Sequence, residues 1–180
     1  MSNKTTLKSV LAAVLVSIIG FQALVSDADA DQVLIAEASN LQKDGITAQQ
    51  KGIPVLLEFS MQGCPFCEQV EEEVLKPMLI SGDYDNKVML RKVMIDEDTV
   101  ITDFNGKRIT YEALASRYNV FVTPTLVLVH GNGAVMGLEM VGVSSIDFYG
   151  AYLDQAIDRA LNKISTAAEP VRISGGSPAS

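Results

Sequence analysis

The segment that decides the fold is VLLEFSMQGCPFC, residues 55–67. A run of apolar residues, 53–59, ends in a short loop, and two cysteines separated by two residues follow. Such a run, bounded by turn-forming residues on both sides, is typical of a central strand that is buried on both faces. Pro65, directly after Cys64, suits the first turn of a helix, where its missing N–H is not needed. The segment therefore predicts a strand, a loop and a helix, with the cysteine pair at the junction.

The remaining sequence continues this alternation of helices and strands. The first half of the chain predicts a helix from Ser39 or Asn40 to Lys51, a strand at 53–59, a helix at 64–79 that Pro77 kinks or ends, and a strand at 88–95. A polar segment follows at 97–107, with a turn at Asn105-Gly106. The second half predicts a helix at 111–118, strands at 125–129 and 134–141 joined by a turn at 131–133, and a helix from Ser144 or Ser145 to about 164. The first two strands flank a crossover helix and should be parallel, whereas the last two form an antiparallel hairpin. The order predicts an α/β fold with a mixed sheet between helices.

Composition and charge narrow the class of protein. The chain has 180 residues, 48% of them hydrophobic and 20% charged, which predicts one globular domain with a sizeable core. The net charge is −8, and an acidic chain is a poor partner for a phosphate backbone. We therefore expect no nucleic-acid binding.

The cysteine count excludes several kinds of site. Cys64 and Cys67 are the only two cysteines and His130 is the only histidine, so a four-ligand zinc site of nitrogen and sulfur cannot be completed. A c-type haem would need a histidine directly after Cys67, and Glu68 stands there. We expect no metal and no cofactor. The acidic run from Glu71 to Glu73 is interpreted as a solvated helix face.

The N-terminus has the pattern of a secretory signal. Lys4 and Lys8 precede an apolar run at 10–25, and Ala28-Asp29-Ala30 supplies small residues for a signal peptidase. The alternative is an uncleaved anchor, but the run is shorter than the roughly 20 residues that a membrane span needs. We predict a signal peptide at 1–30, a domain at 31–164 and a disordered tail at 165–180. A periplasmic location follows, where a disulfide can persist.

The position of the two cysteines predicts a different role for each in thiol–disulfide exchange. Cys64 falls at a helix N-terminus, where free N–H groups and the helix dipole favour a thiolate. Cys67 lies one turn inward, so Cys64 should attack a disulfide of a partner and Cys67 should resolve the mixed disulfide. The alternative is two unrelated core cysteines.

Three features resemble the thioredoxin superfamily over residues 53–163. They are the segment 55–67, the stretch VTPTL at 122–126, and the glycines at 131–133 followed by a strand, Gly142 and a terminal helix. The stretch FNGKRITYEALASRYNVFVTPT at 104–125 is most similar to periplasmic thioredoxin-like proteins of the SoxW kind. The resemblance implies a three-layer thioredoxin-like fold, in which helices flank a central mixed sheet.

Glu58 interrupts the apolar strand six residues before Cys64. The resemblance implies a buried acid here that exchanges a proton with the resolving cysteine, and burial would raise its pKa toward neutrality. The alternative is a glutamate in solvent at a strand edge.

The resemblance also implies a cis bond before Pro124 and a free backbone at Thr123 that pairs with an extended substrate. The alternative is a trans proline that opens a strand. Pro65, Phe66, Thr123 and Pro124 are the expected substrate-binding residues. Two departures from thioredoxin are Gly63 in place of a tryptophan and the Pro-Phe pair between the cysteines.

Together these features predict an exported thiol–disulfide oxidoreductase that reduces protein disulfides. We expect a monomer that a membrane thiol reductant recharges with electrons. Two alternatives are a non-catalytic module that holds client cysteines or copper, for which Met61 is close to Cys64 and Cys67, and a fold with a vestigial site.

Overall fold

A computed structural model describes residues 33–168. The predicted signal peptide and the tail beyond residue 168 lie outside the described residues. The elements are α1 Leu41–Lys51, β1 Val55–Ser60, α2 Pro65–Val70, a π-helical turn Glu71–Leu75, α3 Lys76–Ser81, β2 Met89–Met94, β3 Val100–Thr102, β4 Arg108–Thr110, α4 Tyr111–Arg117, β5 Thr125–Val129, β6 Val135–Val141 and α5 Ile146–Ala168.

The main sheet has four strands in the order β2-β1-β5-β6. Strands β1 and β2 are parallel, as the crossover helix between them requires, while β5 runs antiparallel to both β1 and β6. The predicted mixed sheet with helices on both sides is confirmed. The chain folds this way because β1 is apolar on both faces and must be central.

Alternate residues of β1 point to opposite faces of the sheet. Val55, Leu57 and Phe59 pack in a core with α1 and α4. Leu56 packs in a second core with α2, the π-helical turn, α3 and α5. All six residues of β1 are buried, and Glu58 shares the face of Leu56. The only charged residue of the strand therefore lies under the helix that follows the cysteines.

The helix after the cysteines differs from the prediction near Pro77. The helical run continues through Pro77 to Ser81, and the irregularity lies just before it, as the π-helical turn. A proline ring blocks the hydrogen bond to the carbonyl four residues earlier, and the wider π-type turn accommodates this without ending the helix.

The polar segment predicted at 97–107 forms most of a small hairpin, because β3 pairs antiparallel with β4. These strands were missed because each has only three residues, which is too short to show an alternating pattern. Asp103 is fully buried, and its carboxylate accepts hydrogen bonds from the N–H groups of Asn105 at 2.9 Å and Lys107 at 2.8 Å and from Arg117 at 2.9 Å. Burial alone would raise the pKa of Asp103, but these bonds outweigh it and lower the pKa.

Residues before α1 cover the outer edge of β2. The N–H of Lys92 donates to the carbonyl of Ala36, and the N–H of Ala38 donates to the carbonyl of Lys92. At the other end of the chain, α5 continues to Ala168, beyond the predicted end near residue 164. Within residues 33–168, no helix is long and apolar enough to cross a membrane.

Candidate active site at the cysteine pair

The two cysteines lie at the junction of β1 and α2, as predicted. Cys64 is the N-cap of α2 and Pro65 is the first helical residue. The N–H of Cys67 donates to the Sγ of Cys64 at 3.2 Å. The two residues form a disulfide with a Cα–Cα distance of 5.3 Å. The pair is therefore placed for reversible thiol–disulfide chemistry.

The two cysteines differ in access to solvent. Cys64 is 9% exposed, whereas Cys67 is 1% exposed.

The loop that leads to Cys64 is held by the N–H of Gln62, which donates to Oδ2 of Asp96 at 3.0 Å. Gly63 has a φ of +64°, a left-handed conformation that a residue with a side chain adopts only with strain. The replacement of tryptophan by Gly63 is thus tied to the geometry of this loop.

The loop before β5 reaches the cysteines. The Thr123–Pro124 bond is cis. The hydroxyl of Thr123 donates to the Sγ of Cys64 at 3.6 Å, a contact that sequence reasoning missed because it considered only the backbone of Thr123. The structure therefore brings Thr123 and Pro124 together with the disulfide, although the two segments are far apart in sequence.

Glu58 is completely buried, so the alternative of a glutamate in solvent is wrong. Within the described residues neither carboxyl oxygen has a hydrogen-bond partner. Burial, and then the negative charge of Glu71, raise the pKa of Glu58 to about 8, against opposing effects of Lys92 and Lys76. A carboxyl with such a pKa can both take up and release a proton near neutral pH.

An ion pair lies next to Glu58. The Nζ of Lys92 contacts Oε1 of Glu71 at 2.6 Å. The interpretation of Glu71 as part of a solvated face is therefore wrong, since its side chain is 13% exposed. A lysine next to Arg91 in the predicted strand 88–95 was the available signal, but the residue opposite Lys92 could be found only from the register of β1 and β2.

Apolar side chains lie exposed in the two segments that meet at the disulfide, one around the start of α2 and one directly before β5. Phe66, predicted as a substrate-binding residue, is 58% exposed. Met61, Phe121 and Val122 are also exposed, and the last two were missed. Two consecutive large apolar residues directly before the Thr-Pro-Thr loop were the signal in the sequence. Exposed apolar residues around a reactive group favour contact with another protein.

Comparison with known proteins adds to this geometry. A family model described as a thioredoxin-like domain matches residues 41–157. The chain belongs to this thioredoxin-like family. A thioredoxin-like domain with a cysteine pair at this junction is a thiol–disulfide oxidoreductase in type, in agreement with the sequence analysis.

Solved structures similar to this thioredoxin-like domain include oxidised mitochondrial thioredoxin 3 from Saccharomyces cerevisiae, with 19% identity over 69% of this chain and 93% of that chain and a TM-score of 0.47. The periplasmic thioredoxin SoxS from Paracoccus pantotrophus is similar at 21% identity over 59% of this chain and 98% of that chain, with a TM-score of 0.41. Thioredoxin O2 from Arabidopsis thaliana is similar at 21% identity over 67% and 94%, with a TM-score of 0.44. No curated protein matches the sequence.

The described residues also bear on metal binding. Within residues 33–168, no group of three or more histidine, cysteine, aspartate or glutamate side chains is placed to hold a metal ion.

Proposed function

We propose that this thioredoxin-like domain is an exported reductase of protein disulfides. The observation that carries the proposal is the contact of the Cys64–Cys67 disulfide with the Thr123–Pro124 loop, which places a reactive sulfur beside a backbone that a client can pair with. The reaction begins from the reduced form, in which both cysteines are thiols.

Cys64 attacks first. Its sulfur faces the N–H of Cys67 and the hydroxyl of Thr123, and both donors favour the thiolate over the thiol. The thiolate attacks one sulfur of the client disulfide, forms a bond between Cys64 and the client, and releases the other client sulfur as a thiolate, which takes up a proton.

Cys67 completes the exchange. Its thiol gives its proton to the carboxylate form of Glu58, and the resulting thiolate attacks the sulfur of Cys64. The bond to the client breaks, and the second client sulfur leaves as a thiolate that is then protonated. Two electrons have moved from the cysteine pair to the client, and the disulfide seen in the structure is the product.

The client binds as an extended segment across the Thr123–Pro124 loop. No hydrogen bond among the described residues uses the backbone of Thr123, so its N–H and carbonyl are free for strand addition. Phe66, together with Pro65, Phe121 and Val122, supplies an apolar surface beside the attacking sulfur. Recognition then depends on an accessible segment around the client disulfide.

The direction of electron flow follows from what surrounds the cysteines. The two hydrogen-bond donors to Cys64 favour its thiolate, but Pro65 and Phe66 between the cysteines carry no cation, and an ionised Glu58 would disfavour a thiolate. The net charge of −8 acts weakly in the same sense. These features leave the disulfide form comparatively stable, so the dithiol is a good reductant. Its reduction potential should be about −270 mV, as in thioredoxin.

Equilibration with glutathione redox buffers tests the direction. A midpoint more positive than about −180 mV, the value of disulfide isomerases, would make the protein an oxidase or isomerase. Turnover in insulin reduction with dithiothreitol separates the reductase from a thiol-binding or copper-binding module, which shows none.

Export and recharging complete the proposal. The predicted signal peptide at 1–30 directs the chain, as a monomer, to the periplasm, where a membrane thiol reductant returns it to the dithiol. Fractionation of cells and N-terminal sequencing of the mature protein test the first part. Trapping with Cys67→Ser, which stalls the mixed disulfide, identifies clients and the donor.

A further inference from the structure

The ion pair of Lys92 and Glu71 has no part in the exchange described above, yet it shares the surroundings of Glu58. Lys92 is the Cα partner of Glu58 across β1 and β2, so the two side chains leave the same face of the sheet. In the described part of the chain, however, Lys92 pairs with Glu71 at 2.6 Å, and neither oxygen of Glu58 has an ion-pair or hydrogen-bond partner of good geometry, although the Glu71 carboxyl lies near enough to raise the pKa of Glu58.

The π-helical turn explains how Glu71 reaches Lys92. The turn carries three consecutive glutamates, and two of them face solvent. Glu72 pairs with Lys76 four residues on, and Glu73 accepts a hydrogen bond from Gln69 at 3.0 Å. Only Glu71 is turned toward the sheet.

We propose that Glu71 is a positioning residue for Glu58, because it holds the ammonium of Lys92 and so keeps this cation away from the Glu58 carboxyl. Glu58 then rests mainly as the uncharged acid beneath the helix that carries the cysteines, and the smaller carboxylate fraction is the form that takes the proton of Cys67. The inference deepens the proposed function and rests on it in one respect only, the proton exchange between Glu58 and Cys67. A cation within about 4–6 Å lowers the pKa of a carboxyl by about 1–3 units, so the placement of Lys92 acts on the charge of Glu58 beside the larger effects of burial and of the Glu71 carboxylate itself.

The other groups that face Glu58 agree with this arrangement. Lys76 of α3 is engaged by Glu72 and has a smaller effect on the pKa of Glu58 than Lys92. Tyr149 of α5 has a buried hydroxyl without a partner in the described residues, and burial followed by the charge of Glu58 raises its pKa. Tyr149 is therefore neutral, and Lys92 is the stronger of the two cationic influences on Glu58.

The first experiment measures the pKa of Glu58 in the oxidised protein without any client. The infrared C=O band of the protonated acid is followed against pH and assigned by its loss in Glu58→Gln. Glu71→Gln should lower the midpoint by about one unit or more, because Lys92 becomes free to pair with Glu58. Glu73→Gln removes the same charge from the same turn and should leave the midpoint within a few tenths of a unit. Glu71→Ala repeats the test if the amide variant does not fold.

A double-mutant cycle separates positioning from simple repulsion between carboxylates. If Glu71 acts by holding Lys92, its replacement by Gln should shift the midpoint more in the presence of Lys92 than in a Lys92→Met background. Equal shifts in both backgrounds, or no shift in either, would overturn the proposal.

The rate of insulin reduction against pH distinguishes this inference from the proposed function. The inference and the proposed function both stand if two results are obtained. In Glu71→Gln the pH profile of the reduction rate moves to lower pH together with the infrared midpoint. In a Glu58→Gln background, the further replacement Glu71→Gln leaves the rate profile unchanged. If the infrared midpoint moves while the rate profile does not, Glu71 still positions Lys92, but Glu58 is removed from the exchange.

Discussion

Replacing Glu58 by glutamine should stabilise the oxidised protein at neutral pH, although we propose that this residue takes part in the exchange. The carboxyl is fully buried and has no hydrogen-bond partner in the described residues, and its pKa is raised from 4.5 to about 8. Glutamine has nearly the same shape as the protonated acid but cannot ionise. The substitution therefore removes the free energy that is spent in keeping this carboxyl protonated or in burying its charge.

The magnitude follows from the linkage between protonation and folding. The pKa in the folded state lies above that in the unfolded state, so Glu58 has no cost below pH 4.5, and stability falls as the pH rises from 4.5 to about 8. Each pH unit in this window lowers the free energy of unfolding by about 1.4 kcal/mol. At pH 7 the accumulated loss is about 3 kcal/mol, which Glu58→Gln should recover.

Urea unfolding of the oxidised protein at about pH 4 and about pH 7 measures the difference. Wild type and Glu58→Gln should be nearly equal at the lower pH and differ by about 3 kcal/mol at the higher. Glu73→Gln, an exposed glutamate of the π-helical turn, should show little change at either pH. A gain at pH 7 that is no larger than the difference at pH 4 would refute the reasoning.

The cysteine pair, Asp103 and Phe66 each offer a further test. Cys67→Ser should accumulate mixed disulfides with clients on non-reducing gels and Cys64→Ser should not; equal yields would contradict the assignment of Cys64 as the attacking thiol. Asp103→Ala should lower the free energy of unfolding in urea by about 3 kcal/mol, because two N–H groups and a guanidinium lose a buried acceptor; a loss below about 1 kcal/mol would contradict this. Phe66→Ala should raise KM about fivefold for a protein disulfide but not for a small disulfide. Phe148→Ala, an equally exposed residue of α5, should change neither value, and a matching rise there would argue against a specific surface.

The fold could be predicted because its strongest signals are local. The apolar run at 53–59 can be buried only as a central strand, and the prolines and glycines around it mark where the strand ends and the helix begins. The parallel pairing of β1 and β2 then follows from the length of the crossover. The hairpin of β3 and β4 could not be predicted, since each strand offers a single core-facing isoleucine, Ile101 and Ile109, and the turn between the strands is held by the buried acceptor Asp103.

The residues around the cysteines were predictable only in part. Cys64, Cys67 and Glu58 stand out in one short segment, so a single reading of the sequence places them together. Glu71 could not be separated from its two acidic neighbours, because a π-helical turn shifts the phase of the helix and a period of 3.6 no longer tells which side chain faces the sheet. Lys92 needed the strand register, which is a property of the folded chain.

The way the sheet ends bears on where a second chain can pair with this one. A free strand edge invites other chains to pair with it, and here the middle of the β2 edge is covered by Ala36 and Ala38. At the opposite edge of the sheet, the pairing of β5 with β6 has an irregularity between Val127 and Val129. In β6 itself, the ammonium of Lys163 donates a hydrogen bond to the carbonyl of Met136. Irregular pairing and covered edges of this kind disfavour the pairing of unrelated chains with the edges of the sheet. Among residues 33–168 the peptide groups at Thr123 are unpaired and the Thr123 hydroxyl contacts the Sγ of Cys64, so under the proposed function a chain that adds at Thr123 meets the attacking sulfur as soon as it binds.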